Sequence, residues 1–173
     1  MLPQLAPADT PPLLAIDCEF KPLRCAIVDG DGFVRLDCLV TKTEAGTSSA
    51  PLPGVLKCDA PTLRRVPIEE MQSLLRSLLA AGTLLIAHTP KADLRALGLL
   101  EELDGHPAVV DIALLGPQTE TAHGPQAVSL KRMAEIHLGM QIQQGAANGG
   151  KKHCAREDAM VAMRLYHTLA DDA

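Results

Sequence analysis

Four acidic residues and one histidine stand where their neighbours make a charge costly. Asp17-Cys18-Glu19 closes the apolar run Leu13-Leu14-Ala15-Ile16. Strand alternation would put Asp17 and Glu19 on one face and Cys18 on the other. Two carboxylates side by side on a buried strand repel each other, and a cation between them removes the cost. The same pattern also fits a strand end emerging into solvent. Asp93 would share a helix face with Ala96, Leu97 and Leu100, an inward stripe on which an acid needs a partner. A nearby helix cap would serve it as well as a cation. Asp158 heads a second such stripe with Ala162, Leu165 and Leu169, and His153 lies in the loop just before, able to swing over the same place. The chemistry these types suggest is that of carboxylates sharing a cation beside a proton-transfer group.

The elements that must hold these residues can be read from pattern and punctuation. Strands are expected at 13–17, 25–29 and 33–40, with Asp29-Gly30-Asp31-Gly32 as the hairpin turn between the last two. Residues 43–61 read as a Gly/Ser/Pro-rich loop. Pro67 with Glu69 and Glu70 opens a helix whose stripe is Ile68, Met71, Leu74, Leu75, Leu78 and Leu79, stopped by Gly82. A short buried strand follows at 84–87, a helix at 90–100 and a strand at 108–110. Ser129 caps a helix running to Leu138 and closed by Gly139; residues 145–152 form a loop and 155–169 the last helix. A meander followed by β-α-β-α implies an α/β fold with a mixed five-stranded sheet, an antiparallel meander and then parallel strands, flanked by helices. There is no internal repeat. The expected organisation is an N-terminal arm at 1–12, carrying four prolines, and a single domain at 13–173.

Composition narrows the class. With 173 residues, 47% of them hydrophobic, the chain suits one domain with its own core, and 13 Gly and 13 Pro exclude collagen-like or low-complexity arrays. The longest apolar piece, 77–87, is well short of the ~18 residues of a membrane span. The first five residues lack a basic n-region, so an intracellular, cytoplasmic or nuclear, location is expected. Five widely separated Cys make neither a disulfide framework nor a zinc site. A net charge of -5 argues against a protein that grips long duplex DNA, and one Tyr, two Phe and no Trp argue against a broad base-stacking platform. A nucleic-acid substrate would have to be held at a small contact, largely through metal.

Taken together, the motifs resemble those of the DEDDh 3′-5′ exonucleases. Leu14-Ala15-Ile16-Asp17-Cys18-Glu19-Phe20 resembles the first exonuclease motif. Leu85-Ile86-Ala87-His88 through Asp93-Leu94-Arg95-Ala96-Leu97 resembles the second. Val128-Ser129-Leu130-Lys131, then His153 through Glu157-Asp158-Ala159-Met160, resemble the third. The similarity runs over residues 13–166 and is nearest to the small eukaryotic RNA-exonuclease branch that includes the interferon-stimulated exonucleases. Val110-Asp111 matches that branch's strand-ending Asp, read as structural. Three features depart from the branch: the short link Phe20-Lys21-Pro22-Leu23 after Glu19, Cys154 where a Ser usually follows the histidine, and Pro53-Gly54-Val55 where Ser-Gly-Ile is usual.

The resemblance implies a ribonuclease H-like fold and stepwise 3′→5′ hydrolysis of a single-stranded RNA or DNA 3′ end to nucleoside 5′-monophosphates. It implies two divalent cations, Mg²⁺ or Mn²⁺, whose hardness suits carboxylate ligands. Asp17 would bridge both ions, Glu19 and Asp158 would hold the nucleophile-side ion, and Asp93 the second. His153 would be the general base. Phe20, His88, Lys91 and Arg95 are the expected substrate contacts, with Lys151, Lys152 and Arg156 as further cations beside the motifs. Phe20 as a core residue and His88 as a structural residue at the strand edge remain open at this level. So do a preference for DNA or short oligoribonucleotides, a metal-dependent phosphatase, and a silent nuclease-like binding module, although the last expects a broken acid set.

Overall fold

A computed structural model describes residues 12–20, 23–42, 63–121, 124–144 and 153–171. Residues 1–11 of the expected arm at 1–12, the loop at 43–61 with its Pro53-Gly54-Val55 turn, and the loop at 145–152 with Lys151 and Lys152 lie outside the described residues.

Three antiparallel strands, β1 (Leu13–Phe20), β2 (Leu23–Asp29) and β3 (Val34–Thr41), form the expected meander. Asp29 shapes the β2–β3 turn, its Oδ1 accepting from the N–H of Phe33 at 2.8 Å and of Asp31 at 3.1 Å. After β4 (Arg64–Pro67) and α1 (Ile68–Ala80) come β5 (Leu84–Ala87), α2 (Lys91–Ala96), α3 (Leu100–Leu103) and β6 (Val109–Asp111). A 3₁₀ turn (Ile112–Leu114) leads to the hairpin β7 (Gln118–Thr121) and β8 (Gly124–Ala127), then α4 (Leu130–Leu138) and α5 (Ala155–Asp171). The main sheet has six strands in the order β4-β3-β2-β1-β5-β6, with β4 parallel to β3 and both β5 and β6 continuing in parallel from β1. No described helix is long and apolar enough to cross a membrane.

Alternation along β1 divides the core. Leu14, Ile16 and Cys18 face α1 and join Met71, Leu75 and Leu97; Ala15 faces the other way and meets α4 and α5 with Ala26, Ala155, Ala159 and Ala162. The small side chains on this second side let α5 lie close against β1 and β2.

Three sequence expectations are corrected. The sheet has six strands rather than five: in Arg64-Arg65-Val66 only Val66 is buried, so the segment has no apolar signature and its strand is defined by pairing with β3. The β7–β8 hairpin is equally polar and equally silent in the sequence. The helix expected at 90–100 is two, because Gly98 adopts φ +69° and breaks it, which turns both Leu97 and Leu99 into the core. A Cβ at Gly98 would sit 2.9 Å from Gln72 Nε2, which donates to Leu97 O at 2.8 Å. Gly98→Ala is therefore expected to cost about 1–2 kcal/mol, lowering Tm by roughly 3–6 °C. An unchanged melting curve would show that the turn does not require glycine.

Candidate active site

Strand β1 continues through Phe20, with Asp17 paired to Ala26 and Glu19 to Arg24. The two acids thus lie inside a paired strand, not on an end running into solvent. On its other edge β1 pairs with β5 only as far as Ala15, opposite Ile86. Beyond that point β5 turns away through His88 and Thr89 into α2, and the split opens a cleft of about 410 Å³ at the carboxyl ends of both strands. Ligands of open α/β sheets bind at such a divergence.

Asp17, Glu19, Asp93, His153 and Asp158 all line this cleft, with Phe20, His88, Thr89, Ser129 and Gln143. Asp93 comes from the first turn of α2 and is buried; Asp158 comes from the first turn of α5, between the close-packed Ala155 and Ala159. Ligand atoms of Glu19, His153 and Asp158 lie within 4.8 Å of one another, and His153 Nδ1 is 3.4 Å from Asp158 Oδ2. No Lys or Arg is among the described lining residues.

The electrostatics follow from this crowding. Burial pushes the Asp17 carboxyl well above its ordinary range, and the charges of Asp93, Asp158 and Glu19 push it further. Asp93 is raised to about 7, chiefly by burial; Glu19 adds to the rise and a hydrogen bond from the Cys18 backbone opposes it. Asp158 is raised to about 6, again mainly by burial, against the stabilising Gln143 amide and His153. A cluster of acids raised in this way, in a cleft with no Lys or Arg among its described lining residues, fits divalent cations with oxygen ligands.

Of the expected substrate contacts, the structure brings Phe20 and His88 to the cleft and leaves Lys91 and Arg95 outside its lining. Phe20 is 48% exposed, so it is no core residue. His88 donates through Nε2 to Val128 O at 2.9 Å, spanning from the end of β5 to the start of α4. Lys91 turns to Asp104, 3.0 Å away. Asp111 has a structural part: its Oδ1 accepts from Thr89 N at 2.8 Å and Ala113 N at 3.0 Å, holding the turn that enters α2. Sequence reasoning missed Thr89 and Gln143. Gln143 is one of three glutamines around Ile142, and nothing in their order marks which one faces the acids.

No family model matches the chain. RNA exonuclease 3 of Emericella nidulans is 35% identical to it over 130 residues, which is 75% of this chain and 18% of that protein. Exonuclease GOR of Pan troglodytes is 31% identical over 163 residues, 90% of this chain and 22% of that protein. Over most of its length the chain is similar to exonucleases, RNA exonucleases among them. It spans about a fifth of the length of these two relatives. Among solved structures, the Saccharomyces cerevisiae Pan2 pseudoubiquitin hydrolase–RNA exonuclease module in complex with AAGGA RNA superposes with a TM-score of 0.66. At 23% identity over 96% of this chain and 30% of that one, the likeness establishes a shared ribonuclease H-like fold. Divalent-metal use by such nucleases agrees with the donor set of the cleft.

Proposed function

We propose that residues 13–173 form one metal-dependent exonuclease domain of the DEDDh type, removing nucleoside 5′-monophosphates from the 3′ end of single-stranded nucleic acid. The carrying observation is the convergence of Asp17, Glu19, Asp93, Asp158 and His153 in a cleft whose described lining holds no Lys or Arg. RNA is the preferred class: the Emericella nidulans relative is named an RNA exonuclease, and the Pan2 module was solved with RNA. DNA is the alternative that the test below separates. Free thiols at Cys18, Cys25, Cys38 and Cys154 suit a reducing compartment, cytoplasmic or nuclear.

In this reading Asp17, Glu19, Asp93 and Asp158 would hold two Mg²⁺ or Mn²⁺ ions, Asp17 contributing to both, Glu19 and Asp158 to the nucleophile-side ion and Asp93 to the second. When bound, such ions lower the pKa of water and offset the charge that builds on the phosphate. The side chains do the rest. His153 turns its Nδ1 to Asp158, which leaves Nε2 as the acceptor for a proton from the attacking water. Its exposure at the cleft mouth lets the proton pass on to solvent. Phe20 offers an apolar face beside Glu19 for the terminal base, and His88 braces the two walls of the cleft. Lys91 and Arg95 then act on the strand beyond the scissile phosphate, as peripheral positive charge.

The test is digestion of 5′-labelled single-stranded RNA and DNA with Mg²⁺ or Mn²⁺. A ladder shortening from the 3′ end is expected, with mononucleotide release and faster loss of RNA. A 3′-phosphate should block it and a 5′-phosphate should not. Cleavage of circular strands at the same rate would replace this reading with an endonuclease, and phosphate release from monoesters would replace it with a phosphatase.

A further inference from the structure

Gln143 is the neutral member of an acidic corner. Its backbone N–H donates to Glu157 Oε2 at 3.1 Å, and its side-chain Nε2 lies 3.3 Å from both Oδ1 and Oδ2 of Asp158. The residue is thus tied twice to the first turn of α5, at two consecutive positions. Ile142 beside it is 1% exposed, seated in the core between the sheet and α5, so the segment is anchored next to the point of contact.

The backbone at Gln143 is left-handed, with φ +58°. Among the described residues Thr89 is the one other non-glycine in that region, and both line the cleft. Holding an L-residue there is unfavourable by roughly 1–2 kcal/mol, and such positions concentrate at functional sites. With Ile142 held in the core, the left-handed turn directs the Gln143 amide back onto Asp158. Gln143 approaches Asp158 from the α4–α5 connection, whereas Glu19 approaches it from β1. A carboxylate has about four acceptor positions, so one amide leaves room for the other ligands.

We propose that Gln143 is a positioning residue: its amide holds the Asp158 carboxylate turned so that Asp158, Glu19 and His153 can share a divalent cation. This rests on the metal-dependent reading above. A neutral donor suits the task, because a Lys or Arg at this place would compete with the cation it is meant to help. Hydrogen-bond partners of metal ligands typically govern 10–100-fold in metal affinity.

The experiment is calorimetric titration with Mn²⁺ alone, beside melting curves with and without Mn²⁺, for wild type, Gln143→Ala, Gln143→Asn and Asp158→Asn. Asn tolerates the left-handed backbone but is one methylene too short, so it separates the amide's reach from the backbone conformation. Both Gln143 variants should keep their metal-free melting and bind Mn²⁺ about 10–100-fold more weakly. The Mn²⁺ concentration giving half-maximal rate should rise by the same factor, with the rate at saturating Mn²⁺ largely restored. A merely structural role would lower metal-free melting and leave Mn²⁺ affinity alone, and that result overturns the proposal. Unchanged or tighter Mn²⁺ binding by Gln143→Ala overturns it too, the latter showing that the amide occupies the cation's own place. Should wild type bind no Mn²⁺, or Asp158→Asn bind it like wild type, the metal reading itself fails and takes the proposal with it.

Discussion

Asp17→Asn is expected to abolish turnover while raising the melting temperature of the metal-free protein. Asp17 meets three other acids in the cleft, and its carboxyl is pushed up by burial and by Asp93, Asp158 and Glu19. An acid held above its ordinary range binds its proton more tightly folded than unfolded. Its contribution to stability is therefore complete below about pH 4. It is lost as pH rises through about 6 for Asp158 and about 7 for Asp93. In EDTA, Tm should fall between pH 5 and pH 8. A tenfold difference in proton affinity between the folded and unfolded chain is worth about 1.4 kcal/mol, and about 1 kcal/mol moves Tm by 2–4 °C in a chain of this size, so the fall should be several degrees. Millimolar Mg²⁺ should remove most of it by binding the folded state. Asp17→Asn removes one repelling charge, so in EDTA it should melt higher than wild type at pH 8 and respond little to Mg²⁺. Scanning calorimetry across this pH range checks each part. A variant that melts lower than wild type in EDTA would show that the acids do not repel one another.

His153→Ala should slow the reaction by roughly 10²–10⁴ while keeping most of the stabilisation by metal, because a positioned general base contributes about that much. Asp158→Asn should lose both together. The geometry makes this contrast informative: His153 Nδ1 lies 3.4 Å from Asp158 Oδ2, and the pair shares with Glu19 a group tight enough to hold an ion. An imidazole that coordinates and an imidazole that takes a proton would both sit there. Single-turnover rates beside Mn²⁺ thermal shifts separate them. Equal loss of metal response in the two variants would make His153 a ligand and return the base role to solvent or another group.

The cleft owes its shape to features of very different legibility. The Leu13-to-Ile16 run, the Asp29–Gly32 turn, the α1 stripe and the Ser129 cap each follow from local rules, since burial period and turn chemistry act within a few residues. The acids at 17, 19, 93 and 158 were visible for the same reason: each interrupts an apolar pattern, and an ionised group on a buried face demands compensation. Strand β4, the β7–β8 hairpin and the break at Gly98 were not visible. Their segments carry little apolar signal, and they exist through pairing or core space supplied by residues far along the chain. Lys91 and Arg95 stand beside a motif in sequence, yet neither is among the residues lining the cleft, and Lys91 pairs with Asp104.

The chain's own order of residues determined which side chains could do chemistry and which elements would carry them. Only the tertiary structure decided that β1 and β5 part after Ala15, that alanines bring α5 down onto the split, and that Gln143 turns its amide onto Asp158. Those outcomes depend on distances between segments separated by tens of residues. Such distances arise from packing, and packing is a property of the whole core rather than of any stretch within it.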